Sequence, residues 1–274
     1  MSRPVADAAA VRELLDRGAH FYVGHSGGKD SWAMYAALRD LVPAQRLHVV
    51  HADLGEVEWP GIQRQIRAGI SDWHDLHIAQ AIHADGTPKT FFSAVMARRA
   101  ALDAKGQHDA PAFPSSAARF CTSDLKTGPI WKVIRAHAAS EGVSIVVNCV
   151  GIRADESPSR AKRIASPGTL NRNAKNCTKS REAYDWWPIA HWSDDEVWST
   201  IREEELPIHP AYRNGNERLS CQYCIFGCTG DLRRAAAASP DLLARYRDLE
   251  RLSRSTMFNG QTLAERIATQ GDTA

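Results

Sequence analysis

Ser26-Gly27-Gly28-Lys29-Asp30-Ser31 follows the apolar run 20–24 (His-Phe-Tyr-Val-Gly) and precedes Met34, Ala37, Leu38 and Leu41 at helical spacing. The pattern predicts a buried strand, a glycine turn and a helix that Pro43 ends. Two glycines in such a turn let the backbone approach a ligand closely. Successive N–H groups at the helix start then favour an anion, with phosphate or pyrophosphate the expected guest. A Walker A loop is excluded, because Gly24 lies only four positions before Gly28 and Lys29 is followed by Asp30.

The rest of the chain extends the same alternation. Further strands are expected at 46–52, 76–82, 144–151 and 186–190, with helices between them. Pro129 opens one helix, Ile130, Val133 and Ile134 form its inward stripe, and Gly142 closes it. Ser193 with Glu196 is a capping box. The expected architecture is an open, mainly parallel α/β sheet with helices on both faces, over residues 1–214. A cysteine-containing helical segment at 215–274 would pack on the same domain or on a second subunit as a homodimer. Three stretches break the pattern. Residues 85–116 enclose a short helix (91–104) in Gly-, Pro- and Ser-rich flanks and suit a lid or insertion. Residues 153–181 hold eight Lys or Arg against two acidic residues and read as a solvated loop. A last helix runs from Ser239 to about Leu252.

Composition narrows the classes of function. The 274 residues are 43% hydrophobic and 24% charged, ordinary values for a folded soluble chain. A net charge of +2 is too balanced for a generic nucleic-acid coat. No apolar run reaches membrane-spanning length and no signal-peptide centre is visible near the start, so a cytoplasmic protein without membrane attachment is expected. Six cysteines in that setting point to thiol, metal or core roles rather than a disulfide framework.

Open parallel sheets bind ligands beyond the carboxyl ends of their strands. There the sequence places the glycine loop, Asp53 and the run Gly151-Ile152-Arg153-Ala154-Asp155-Glu156-Ser157 with Arg160 beyond. Asp53 suits a ribose hydroxyl, a metal or a base. Arg153 and Arg160 suit phosphate oxygens, since a planar guanidinium matches their geometry.

These segments resemble the adenine-nucleotide α-hydrolase, or PP-loop, superfamily. The branch is that of phosphoadenylyl-sulfate (PAPS) reductases, the small subunit of bacterial ATP sulfurylase and the sulfur-transferring subunit of DNA phosphorothioation. The resemblance is carried by SGGKDS from Ser26, HAD-x-G from His51, R-x-C-x-x-x-x-K-x-x-P from Arg119 and GIRADESPSRA from Gly151. PIAHWSDDEVW from Pro188 and LPIHPAY with CQYC, from Leu206 to Cys224, complete it. It implies that Ser26, Gly27, Gly28, Lys29, Asp30 and Ser31 form a pyrophosphate-binding loop, and that Asp53, Arg153, Glu156 and Arg160 border an adenine nucleotide. ATP with Mg2+ would be cleaved at the α-phosphate to activate an acceptor, in sulfur transfer from a sulfur donor protein. Lys29, Arg153 and Arg160 would stabilise the developing charge.

Cys221, Cys224 and Cys228 have C-x-x-C-x-x-x-C spacing, and the resemblance brings Cys121 to them. Four thiolates suit a four-iron four-sulfur cluster, with structural zinc as the alternative. Cluster-containing reductases carry adjacent cysteines where Phe120 precedes Cys121 here. They also use a nucleophilic cysteine in the C-terminal tail, whereas no cysteine follows Cys228, and they carry Pro-Glu-Thr where this chain has Pro60-Gly61. Nucleotide activation is therefore expected ahead of PAPS or adenylyl-sulfate reduction. Nucleic-acid modification or binding through the basic segment 160–181 is a further alternative.

Overall fold

The computed structural model describes residues 3–166 and 168–269. The chain divides into two compact units. One comprises residues up to Ala52, Gly61–Ala79 and Ile130–His209; the other comprises Asp53–Pro60, Gln80–Pro129 and Pro210 onward. The second unit thus gathers the expected C-terminal segment together with two earlier excursions of the chain.

The first unit is built on a six-stranded sheet: β1 (His20–Gly24), β2 (Leu47–Asp53), β3 (Leu76–Gln80), β4 (Ile145–Val150), β5 (Leu170–Arg172) and β6 (Glu182–Trp186), in the order β3-β2-β1-β4-β6-β5. β1 pairs in parallel with β2 and β4, and β4 with β6, while the edge strand β5 runs antiparallel to β6. Strands buried on both faces read as continuous apolar runs. Phe21, Tyr22 and Val23 of β1 are accordingly fully buried. The helix Gly128–Ser140 covers one face with Trp131, Ile134 and Ala138 against Tyr22, Val50, Val146 and Ala183. The larger aliphatic side chains among them, Ile134, Val50 and Val146, each contribute about 1.5–3 kcal/mol. The helix Lys29–Arg39, which leaves the glycine loop, is buried nearly all round, through Trp32, Met34, Tyr35 and Leu38.

Two expectations are corrected. The last parallel strand is Glu182–Trp186, not 186–190. Pro188 has no N–H for a ladder, and the chain turns there, with Ala190 N donating to Trp187 O (3.2 Å) and Trp192 N to Ile189 O (3.0 Å). Full burial of Ile189 and Ala190 inside that turn imitated a strand. The basic stretch 153–181 is not a plain loop either. Ser157 caps a helix at Pro158–Ala165 by accepting from Arg160 N (3.3 Å), and β5 follows it.

In the second unit the helices Phe91–Asp103, Thr229–Ala238, Pro240–Ser253 and Leu263–Ala268 surround an aromatic cluster in which Phe91 stacks on Tyr246 (ring centroids 5.5 Å apart) and Tyr223 meets Tyr246 edge-on. Buried Arg99 donates to Gln107 O (2.7 Å) and Ala110 O (2.9 Å), closing the loop after the first helix. Residues Ser123–Thr127 form a π-turn just after Cys121, a local distortion that concentrates at functional sites.

Candidate nucleotide site

The glycine loop stands where the sheet predicts, between the last residue of β1 and the helix Lys29–Arg39. Gly27 takes φ 76°, a left-handed conformation, and Gly28 is the extended N-cap. Only a residue without a Cβ enters the first geometry without strain. The loop is folded onto its own side chains. Ser31 Oγ donates to Gly28 O (2.7 Å) and lies 3.3 Å from Ser26 N, while Gly28 N is 3.4 Å from Ser26 Oγ. The last two are long contacts that a better acceptor would displace.

His25, immediately before the loop, fixes its start. Its N–H donates to Val50 O (2.8 Å), its carbonyl is 2.8 Å from His51 Nδ1, and its own Nδ1 accepts from Gly27 N (3.1 Å). That last bond requires a neutral imidazole with its proton on Nε2. Burial, aided by His51, pushes the His25 pKa down to about 3. The ring stands edge-on to Trp32, with centroids 4.3 Å apart.

Arg153 follows β4 and is 2% exposed. Its Nε donates to Asp30 (2.6 Å), one terminal nitrogen to Asp194 (2.8 Å), and the other to Trp192 O (3.2 Å) with Asp155 at 3.4 Å. Burial opposes its charge, yet Asp30 and Asp194 outweigh that and raise its pKa. Asp194 also pairs with Lys29. Burial pushes the Asp194 carboxyl up, but the bond from Lys29 and the charges of Lys29 and Arg153 prevail and hold it below the usual range. Gly151 makes this convergence possible, since a Cβ there would stand 3.1 Å from Asp30 O and 3.2 Å from Asp30 C.

The remaining expected residues fall elsewhere. Arg160 ion-pairs with Glu156, whose carboxylate also accepts from Arg153 N (3.0 Å). Asp53 belongs to the second unit and closes a turn, accepting from Gly55 N (2.8 Å) with Gln80 Nε2 at 3.4 Å. In the basic segment, Arg163 lies over the Trp187 ring (4.9 Å) and Arg181 donates to Asn176 O (3.2 Å). His25 and Asp194 were not read as site residues from the sequence. Asp194 lies inside the PIAHWSDDEVW segment and beside the Ser193–Glu196 capping box, and neither pattern singles it out.

The four cysteines are all in the second unit. Cys121, Cys221 and Cys224 interact electrostatically with one another and with Lys126. Burial pushes Cys221 up to about 11 and raises Cys121, so these thiols are neutral at pH 7. Lys126 is raised chiefly by Cys221, an influence that acts fully only when the sulfur is a thiolate. A cation beside three thiols suits a centre that ionises them. Cys228 instead caps the helix Thr229–Ala238, its sulfur 3.4 Å from Asp231 N.

Residues 97–227 match the family model of the phosphoadenosine phosphosulfate reductase domain. The chain is 29% identical over 140 residues to an uncharacterized 37.8 kDa protein of Escherichia phage 186, covering 51% of this chain and 40% of that protein. It is 28% identical over 95 residues to an adenosine 5'-phosphosulfate reductase of Lysinibacillus sphaericus, covering 35% and 36%. The matched stretches thus span less than half the length of either relative. Among solved structures, PAPS reductase from Candida auris in a phosphate complex aligns with TM-score 0.46 and 13% identity over 79% of this chain and 88% of that one.

Proposed function

From the premise that this chain belongs to the phosphoadenylyl-sulfate reductase family of the PP-loop superfamily, we propose that it is an enzyme that binds an adenine nucleotide through the glycine loop and, with ATP, cleaves at the α-phosphate to activate an acceptor in sulfur transfer. One observation carries the reading: a preformed glycine turn at the carboxyl end of β1 opens directly beside Lys29 and the buried Arg153. In the proposed step the acceptor attacks the α-phosphorus, the bond to the bridging oxygen of the β-phosphate breaks, and pyrophosphate leaves with that electron pair. The loop amides and Lys29 neutralise the leaving group, and Arg153 offers its guanidinium to the α-phosphate. Because Asp30 and Asp194 already hold Arg153, its charge is oriented before the nucleotide arrives.

The same carboxylates, with Asp155, are the hard oxygen donors that Mg2+ prefers, and the ion would add charge neutralisation at the phosphates. Arg160 contributes only once its pair with Glu156 opens. Cys121, Cys221 and Cys224, with Cys228 released from its cap, would hold an iron–sulfur cluster or zinc; a cluster would supply electron transfer or sulfur binding.

Incubation of the pure protein with α-labelled ATP and Mg2+ tests the reading. The expected products are pyrophosphate and AMP or an adenylylated acceptor. A second reading, favoured by the likeness to adenosine 5'-phosphosulfate reductases, is that the loop holds a sulfated adenine nucleotide. Adenylyl sulfate that binds at least tenfold more tightly than ATP, with no pyrophosphate release, decides for it. Absence of binding by either nucleotide overturns both.

A further inference from the structure

On the sheet face covered by the helix Gly128–Ser140, three neighbouring strands carry a histidine at their first or second residue, where apolar side chains are the rule: His20 on β1, His48 on β2 and His77 on β3. His137 of the covering helix closes over them. Ligand atoms of His48, His77 and His137 lie within 4.8 Å of one another. The rings are packed, with His48–His137 centroids 4.4 Å apart and His77–His137 4.8 Å apart.

Two further contacts give this group the layout of a ligand set. Tyr22 Oη lies 3.0 Å from His137 Nδ1, and His20 Nδ1 lies 2.9 Å from His48 Nε2. Each uses one ring nitrogen and leaves the other, as outer partners do around metal-bound imidazoles. His77 Nε2 is buried and has no hydrogen-bond partner. An unsatisfied buried nitrogen is costly in a packed interior and needs a cause.

We propose that His48, His77 and His137 bind a divalent transition metal of the zinc type, one ring nitrogen each, with water in the fourth position and Tyr22 and His20 orienting the ligands. Three imidazoles suit this class, and small rotations of the rings reach bonding distance. The site is distinct from the nucleotide loop: His20 opens β1 and the loop follows Gly24, about 13 Å away along the strand. It ties the edge strand β3, through β2, to the helix Gly128–Ser140.

Titration of the full-length Cys121→Ser, Cys224→Ser variant with Co2+ alone, after chelator treatment, tests this, because the paired substitution removes thiolates that would hold metal in the second unit. One equivalent is expected to bind with visible absorption of an imidazole–oxygen site, lacking the near-ultraviolet thiolate transitions that the cysteines would give, and Zn2+ should displace it. In that background His77→Gln and His137→Gln are each expected to weaken binding more than about tenfold, while nucleotide binding is unchanged. No imidazole-type uptake, or uptake indifferent to both histidine substitutions, overturns the proposal. Should those variants not fold, wild-type protein with 15N-labelled histidine decides: Zn2+ must shift the ring nitrogens of His48, His77 and His137, and a spectrum in which they stay put overturns it.

Discussion

His25 Nδ1 accepts the N–H of Gly27 across 3.1 Å, so the side chain of the residue before the loop sets the loop's first turn. Only the neutral ring makes this bond. His25→Ala is expected to leave the sheet intact and weaken nucleotide binding about tenfold, the equivalent of one hydrogen bond's worth of order. The His25 pKa lies near 3, below its unfolded value, so its contribution to stability is complete above the ordinary histidine range and is lost as pH falls from there toward 3. Denaturant midpoints measured from pH 7 down to pH 4 should fall more steeply for the wild type than for His25→Ala. Parallel curves would show that the ring is not buried as a neutral base.

Arg153 and Arg160 look equivalent in the sequence but are held differently. Arg153 is buried and bridges Asp30 and Asp194, whereas Arg160 pairs with its helical neighbour Glu156. Arg153→Ala leaves two carboxylates facing each other and is expected to cost about 2 kcal/mol of stability and at least about a hundredfold in turnover. Arg153→Lys restores charge but not the fork, and should recover stability more than rate. Arg160→Ala is expected to alter stability by about 1 kcal/mol, since the pair is only partly buried and Glu156 keeps the Arg153 N–H as a partner. Calorimetry beside pyrophosphate release separates the cases; equal losses for the two arginines would refute the distinction.

What was legible in the sequence follows from the range of each interaction. β1 was read with both boundaries correct, since strand, glycine turn and helix are contiguous and each leaves a local pattern. The last parallel strand was displaced because Ile189 and Ala190 are buried by tertiary packing in a turn, and burial looks the same in sequence whatever the backbone does. Asp194 was legible only as part of the PIAHWSDDEVW segment; its partners Lys29 and Arg153 are brought to it by the sheet order. The histidines of the first unit have no spacing motif at all. They meet because parallel register sets Tyr22 beside His48, and no periodicity in one strand reports its neighbour.

The cysteines of the second unit make a separate prediction. Without a metal or cluster, Cys221 titrates near 11 and Cys121 is also raised, so alkylation at pH 7 should be slow at both. Anaerobically purified protein is expected to contain iron and sulfide, and to lose them in Cys121→Ser and Cys224→Ser. Removing the centre should accelerate alkylation as pH rises through 9 to 11. Rapid modification at pH 7 of metal-free protein would mean that Lys126 already stabilises a thiolate, and a redox-active free cysteine would replace the cluster as the reading of this unit.

Glu250 anchors the end of the described chain. Its Oε1 accepts from both Met257 N (2.8 Å) and Leu263 N (3.0 Å), and the residue is 7% exposed. Burial raises its pKa despite those two bonds. The sign follows: with the folded value above the unfolded one, the protonated acid is favoured in the fold, and stability is lost as pH rises through the ordinary glutamate range to the raised value. Glu250→Gln keeps an acceptor for both amides and removes the buried charge. It should be at least as stable as the wild type at pH 7 and lose the pH dependence. Glu250→Ala strands both N–H groups and should cost about 1–3 kcal/mol. Urea denaturation at pH 4.5 and pH 7.5 distinguishes the three; a Gln variant as unstable as the Ala variant would show that the negative charge itself, rather than its two hydrogen bonds, holds the helix Leu263–Ala268 in place.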